Sequence, residues 1–105
     1  MHVIMWEFLV HPDKVREFVA AYGPNGEWAK LFRLAAGYEG TELLCSTNDA
    51  ARFVTIDRWN HIDDYARFQE RFNQQYRSLD AQLKGLTLSE TKLGLFTTVT
   101  PLGSQ

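Results

Sequence analysis

The sequence lacks most of the features that would indicate its chemistry directly. Its single cysteine, Cys45, cannot form an internal disulfide, which fits a reducing cytoplasm. Its 11 basic and 13 acidic residues give a formal net charge of −2. Because the basic residues are scattered, we expect neither nucleic acid nor an anionic membrane surface as a partner. No uncharged apolar run reaches the roughly 18 to 20 residues of a membrane helix.

Sequence motifs with a defined chemistry are missing as well. There is no phosphate-binding glycine loop, no dinucleotide fingerprint, no nucleophile elbow and no His or Cys pair at metal-ligand spacing. We therefore expect no metal site. Cys45 has no partner base nearby and is interpreted as a small apolar strand residue. His11 and His61 each stand beside a predicted helix start, where a solvated or capping role is the simpler interpretation.

The first ten residues are apolar enough to raise the question of a signal peptide. They lack a basic start and are interrupted by Glu7, so residues 2–10 are predicted to form a strand. Both sides of this strand are apolar. One side carries Ile4, Trp6, Phe8 and Val10, and the other carries Val3, Met5, Glu7 and Leu9.

Two helices are predicted between this strand and the next. Pro12 suits a first helical position, and Gly23-Pro24 ends the first helix. Asn25 is the predicted cap of the second helix, and Gly37 closes it. Both helices have a buried stripe, made of Val15, Phe18, Val19 and Tyr22 in the first and of Trp28, Leu31, Phe32 and Ala35 in the second.

The second half of the chain predicts a hairpin, a long helix and a last strand. Residues 41–47 and 52–59 are the hairpin strands. Asn60 is the predicted cap of one long amphipathic helix that ends at Gly85. Residues 87–99 form the last strand. We expect one domain over residues 1–100 and a frayed tail over 101–105.

This element order predicts an α+β, ferredoxin-like βαββαβ fold with a four-stranded antiparallel sheet. Both helical connections cover one face of the sheet. The other face of the sheet is left without a cover. Because the first strand of the chain is central in the sheet and apolar on both sides, we expect a homodimer in which the two sheets pack face to face. An RNA-recognition motif shares the order, but residues 52–57 lack its glycines and the chain is acidic.

A few polar residues stand among apolar ones on the predicted central strands: Glu7, Thr55, Asp57 and Arg58. A buried carboxylate needs a partner, and Arg58 or Arg52 would pair Glu7 in a purely structural role. Alternatively, one of these groups lines a pocket between sheet and helices and orients a ligand or accepts its proton. The candidate apolar walls of that pocket are Trp6, Trp28, Trp59, Tyr22, Tyr38, Tyr65 and Phe68.

Residues 55–68 resemble a known family. A strand that ends in Trp59, a short polar turn and a helix with Tyr65 six residues after that Trp are similar to the antibiotic biosynthesis monooxygenases, which are dimeric α/β barrels. Residues 22–28 and 37–44 resemble an uncharacterised branch of the same group. The resemblance covers most of residues 2–97.

The resemblance implies a ligand cavity between sheet and helices and an oxygenation that needs no cofactor. In the aromatic polyketide oxygenases of the family, oxygen reacts with a deprotonated phenolic substrate without metal, flavin or haem. Trp59 and Tyr65 match two pocket positions, and Thr55 stands where that branch has Asn. Thr can donate or accept a hydrogen bond, but it reaches less far.

The function predicted is that of a cofactor-independent, monooxygenase-like protein acting on a small aromatic or quinol-type compound. Tyr65 and Trp59 shape the site, with Arg58 or Glu7 steering the charge of the substrate. The alternative is a non-enzymatic dimer that binds a small ligand. Haem degradation is disfavoured, because the first strand has no Asn and Gln69 replaces the expected helix His.

Overall fold

The computed structural model describes residues 1–101, and the order of its strands and helical connections is the predicted one. The strands are His2–Val10 (β1), Tyr38–Cys45 (β2), Arg52–Trp59 (β3) and Thr87–Thr97 (β4). They pair antiparallel in the order β2-β3-β1-β4. The central strands are therefore β1 and β3, as a ferredoxin-like βαββαβ fold requires.

The connection between β1 and β2 contains two short helices, Val15–Tyr22 (α1) and Glu27–Phe32 (α2). In α1 the buried residues are Phe18, Ala21 and Tyr22. The predicted burial of Val19 is wrong, since this side chain is 42% exposed. Phe18 and Tyr22 form the middle of the helix face that packs on the sheet. Successive helical residues are about 100° apart, so Val19 lies at the edge of that face.

Neither predicted asparagine cap is used. Gly26 precedes α2, and the Asn25 Oδ1 atom instead accepts a hydrogen bond from Arg33 Nη2 at 3.2 Å. At the next helix start the Asn60 backbone N–H donates to the Gly37 carbonyl at 2.7 Å, so the helix begins one residue later. His61 is the cap, and its Nδ1 atom accepts the backbone N–H of Asp63 at 3.1 Å.

The predicted long helix is two helices, Ile62–Arg71 (α3) and Asn73–Leu83 (α4). Phe72 separates them with a backbone of φ −110° and ψ 25°, outside the helical region. The hydrogen bonds on either side persist, from Phe72 N to Phe68 O and from Tyr76 N to Phe72 O. The apolar residues therefore keep their helical spacing across the break. Because the break leaves no mark in this spacing, the sequence predicted one continuous helix.

The strand ends differ from the prediction by up to three residues. β2 begins at Tyr38 and ends at Cys45, β3 has its predicted bounds, and β4 ends at Thr97. The hairpin of β2 and β3 is confirmed. The predicted tail lies outside the described residues beyond Pro101. Within residues 1–101, none of the helices is long and apolar enough to cross a membrane.

Aromatic rings join the helices to the sheet. Phe68 of α3 is 1% exposed and Trp59 of β3 is fully buried. The Phe68 ring lies 5.1 Å from that of Phe32, 5.4 Å from Trp59 and 6.2 Å from Tyr76, measured between centroids. These separations are those of favourable edge and tilted ring pairs. Phe68 therefore links α2, α3, α4 and β3.

Replacing Phe68 with Ala is expected to lower the free energy of unfolding by about 3 to 5 kcal/mol, because the cavity left behind borders rings from four elements. Urea unfolding followed by circular dichroism measures the change. The control is Leu34→Ala, since Leu34 is 64% exposed, and a change below about 0.5 kcal/mol is expected there. Equal effects of the two substitutions would contradict the central position of Phe68.

Candidate active site

The two faces of the sheet follow from the alternation of β1 and β3. The face towards the helices carries Ile4, Trp6, Phe8, Phe53, Thr55, Asp57 and Trp59. A cavity of about 70 Å³ lies between this face and the helices. That volume holds several water molecules and is small beside the usual ligand pocket of several hundred Å³.

Aromatic side chains make most of the cavity wall, and a few polar groups interrupt it. The aromatic residues are Trp6, Phe8, Tyr22, Trp28, Phe32, Tyr65 and Tyr76. The remaining polar residues are Thr41, Thr55, Asp57, Asp80 and Glu90. An apolar cavity with a small number of converging polar groups is the usual form of a small-molecule site.

Asp57 is the acidic group at the β2 end of the cavity. Thr41, its neighbour across the β2–β3 pair, donates its hydroxyl proton to Asp57 Oδ1 at 2.6 Å. The Thr41 oxygen in turn accepts from the Tyr38 hydroxyl at 2.5 Å, since its own proton is used. Burial raises the pKa of the Asp57 carboxyl to about 6, against the opposing effect of the Thr41 hydrogen bond.

A second acidic group lies at the β4 end. The Tyr22 hydroxyl donates to Glu90 Oε1 at 3.4 Å, a long hydrogen bond. Burial and the nearby Asp80 carboxylate raise the pKa of Glu90, although Tyr22 and Lys84 act in the other direction. Asp80 lies one helical turn after Tyr76 on α4, which brings both side chains to the cavity.

Five of the predicted site residues line this cavity: Trp6, Tyr22, Trp28, Thr55 and Tyr65. Three others, Trp59, Tyr38 and Phe68, lie behind the wall. The Trp59 ring meets the Tyr65 ring edge-on, with 5.4 Å between centroids. Burial raises the pKa of the Tyr65 hydroxyl, so it stays protonated at neutral pH. Its oxygen accepts a hydrogen bond from Gln69 Nε2 at 3.0 Å.

Glu7 and Arg58 lie on the opposite, uncovered face of the sheet. Glu7 Oε2 is 3.1 Å from Arg52 Nη1, which confirms the predicted pairing with Arg52. Arg58 Nη1 is 2.6 Å from Glu42 Oε1. Neither side chain reaches the cavity, because residues one position from Trp6 or Asp57 point to the other face of a strand.

The sequence analysis missed part of the cavity wall: Thr41, Tyr76, Asp80 and Glu90. Asp57 was recognised only as one of several polar residues on a central strand. Asp57 stands two residues from both Thr55 and Trp59, and side chains two residues apart on a strand point to the same face of the sheet. Within residues 1–101, no three His, Cys, Asp or Glu side chains are grouped so as to hold a metal ion.

Comparison with known proteins gives the family. The family model for antibiotic biosynthesis monooxygenases matches residues 1–82. The chain belongs to the antibiotic biosynthesis monooxygenase family. The match confirms the resemblance seen in residues 55–68. It ends before β4, so Glu90 lies beyond the residues that the family model covers. No curated protein matches the chain.

Solved structures with the same fold include proteins of this family. Two crystal structures of SnoaB, a cofactor-independent oxygenase from Streptomyces nogalater, have TM-scores of 0.74 and 0.72 at 21% identity and cover 97% of this chain and 96% of SnoaB. A candidate antibiotic biosynthesis monooxygenase from Nitrosomonas europaea has a TM-score of 0.72 at 21% identity, with coverage of 95% and 100%. At these identities the likeness establishes the fold.

The raised pKa of Asp57 predicts a pH-dependent stability. The folded protein holds this proton more tightly than the unfolded chain, so the stabilisation is present at low pH and is lost as the pH rises through about 6. The unfolding free energy of the wild type minus that of Asp57→Asn is expected to fall by about 2 to 3 kcal/mol between about pH 4 and pH 7. Urea unfolding across this range measures the difference.

The matched control is Asp13→Asn, because Asp13 is an exposed aspartate that does not line the cavity. The difference between this variant and the wild type gives the baseline for an Asp-to-Asn change away from the cavity. If the difference in unfolding free energy between the wild type and Asp57→Asn does not change with pH, the raised pKa of Asp57 is contradicted.

Proposed function

We propose that this protein is a cofactor-independent monooxygenase that oxidises a small phenolic or quinol-type compound in the cavity beneath its helices. The observation that carries the proposal is one buried carboxylate, Asp57, set in an aromatic cavity and held by Thr41. Family membership supports it, and so does the fold shared with SnoaB, a cofactor-independent oxygenase.

Asp57 is the proposed proton acceptor. A carboxyl with a pKa of about 6 is mainly ionised at neutral pH and is a stronger base than an ordinary aspartate. Thr41 fixes one carboxylate oxygen and leaves the other to take the hydroxyl proton of the substrate. The resulting phenolate is more electron-rich than the phenol and therefore reacts more readily with oxygen.

The atoms and electrons of this reaction balance without an external reductant. The phenolate gives an electron to O₂, and a carbon–oxygen bond then forms at the ring to give a hydroperoxide. The O–O bond breaks with loss of the ring C–H proton, one oxygen stays on the ring, and the other leaves as water. A phenol and O₂ thus become a quinone and water, with the substrate supplying all four electrons.

Three of the predicted site residues take distinct roles in this scheme. Tyr65 keeps its proton and lines the cavity, so it is the proposed hydrogen-bond donor to an oxygen of the substrate. Trp59 is fully buried behind Tyr65 and is a proposed positioning residue. The Thr55 hydroxyl offers a further hydrogen bond from β3.

Oxygen uptake over a panel of hydroquinones and dihydroxyarenes tests the proposed reaction. Asp57→Asn is expected to lower the rate about 100-fold or more, since the substrate proton loses its acceptor. Tyr65→Phe should give a smaller loss, and Asp13→Asn should leave the rate unchanged. The Asn variant should remain folded, because it removes a charge whose burial is unfavourable at neutral pH.

An absence of protein-dependent uptake across the whole panel would contradict the oxygenation. Binding of the same compounds without turnover would instead support the non-enzymatic ligand binder. Uptake that survives in Asp57→Asn would show that the substrate ionises without this carboxylate.

We also infer a twofold homodimer that covers the open face of the sheet. That face carries apolar side chains that the helices do not cover: Val3, Met5, Leu9, Leu44, Val54, Ile56 and Phe96. Its charges Glu7 and Arg58 already have partners on the same face. A contiguous apolar face of this kind is typical of subunit interfaces, so Glu7 and Arg58 are assigned to assembly.

Multi-angle light scattering at micromolar concentration tests the dimer. The wild type is expected at twice the chain mass of 12.1 kDa. Ile56→Lys should shift the particle to the mass of one chain, because it places a charge in the centre of the apolar face. The control Leu34→Lys makes the same kind of change at an exposed site on the other side of the sheet. A wild type of one-chain mass would contradict the dimer.

A further inference from the structure

The cavity is acidic at both ends. Asp57 on β3 lies opposite Ile4 of β1, whereas Glu90 on β4 lies opposite Phe8. From this register the Cα positions of the two residues are separated by two strand spacings, about 10 Å, across the sheet and by four residues, about 13 Å, along β1. Asp80 of α4 lines the cavity with Glu90 and raises its pKa. A ligand between sheet and helices therefore meets acid at either end.

The cavity has no cation in its wall. Among the described residues that line it, none is Lys, Arg or His. Lys84 lowers the pKa of Glu90, and Lys92 of β4 lies opposite Trp6 on the helix side of the sheet, but neither residue is part of the wall. A negative charge on a ligand would thus meet three carboxylates in the wall, of which Asp80 and Glu90 are exposed and partly screened by water.

Between the two acidic ends the cavity wall contains a buried donor without a partner. Within residues 1–101 the Trp28 Nε1 atom is buried and makes no hydrogen bond to another protein group. Thr55, which is only 4% exposed and lies opposite Trp6, adds a hydroxyl to the same wall. Because buried polar groups are normally satisfied, the Trp28 N–H points to a ligand or to water as its partner.

Carboxylates accept hydrogen bonds and do not donate them when ionised. The complementary ligand therefore has a donor at each end, such as a phenolic hydroxyl at Asp57 and a hydroxyl or ammonium group at Glu90 and Asp80. The small volume limits the aromatic part of such a ligand to one ring. Trp6 and Trp28 supply flat apolar walls for that ring.

We propose that the cavity selects single-ring aromatic compounds that are neutral or cationic and carry hydrogen-bond donors at both ends, and that Glu90 and Asp80 exclude carboxylated ones. This inference rests on the proposed function in taking the cavity as the substrate site. It adds a specificity determinant on α4 and β4 to the proton acceptor on β3.

Three ligands of nearly equal size isolate the effect of charge: 4-hydroxybenzyl alcohol, 4-hydroxybenzylamine and 4-hydroxybenzoate. They share the phenol ring and differ only in the group that would meet Glu90 and Asp80. Isothermal titration calorimetry near neutral pH is expected to give dissociation constants for the alcohol and the amine at least about tenfold below that of the benzoate.

The substitutions Glu90→Gln and Asp80→Asn test which side chains set this preference. Together they should raise the affinity for the benzoate and lower that for the amine, while the alcohol changes least. Glu39→Gln is the control, because Glu39 is an exposed β2 residue outside the cavity wall. The wild-type comparison stands even if a substituted protein fails to fold.

The selectivity is overturned if the benzoate binds as well as the alcohol, or if none of the three ligands binds. Preference against the benzoate without any oxygen uptake would support the charge selection and contradict the proposed oxygenation. Oxygen uptake with no difference between neutral and carboxylated phenols would contradict the charge selection alone. The two proposals therefore fail separately.

Discussion

The contact on which the structure depends most is the packing of aromatic rings between the sheet and its helices. Phe68, Trp59 and Phe32 have their centroids 5.1 to 5.7 Å apart and join α2, α3 and β3. Flat, rigid rings pack densely where they meet edge to face. They adapt their shape less than aliphatic side chains do, so gaps can remain between them. The core is dense around Trp59 and leaves a cavity around Trp6 and Trp28.

The same sheet keeps two kinds of charge apart. On the open face, Glu7 and Arg58 each have an oppositely charged partner and partial contact with water. On the covered face, the Asp57 carboxylate accepts a hydrogen bond from the Thr41 hydroxyl, and burial keeps its pKa high. A buried carboxylate without a cationic partner binds a proton more readily than an ordinary aspartate. The carboxyl with the raised pKa therefore lies on the face beneath the helices.

Much of the fold could be predicted from the sequence, because strand alternation and helical spacing are local signals. β1 and β3 were placed within a residue, and the same alternation assigns Thr55 and Asp57 to the helix side. Asp80 was harder to place, since the orientation of α4 depends on the non-helical backbone of Phe72. Glu90 was missed because the alternation of β4 is weak and its register depends on pairing with β1.

The irregular pairing of β4 has a consequence for how this strand can evolve. Between Met5 and Trp6 of β1 the register with β4 shifts by one residue, so that even-numbered β4 residues face the helices before Leu93 and odd-numbered ones do so after it. The extra residue changes the phase of the strand. Glu90 therefore lies beneath the helices, whereas Phe96, also even-numbered, lies on the open face. Loss of the extra residue would move one of these two side chains to the opposite face, so the length of β4 is constrained as strictly as its composition.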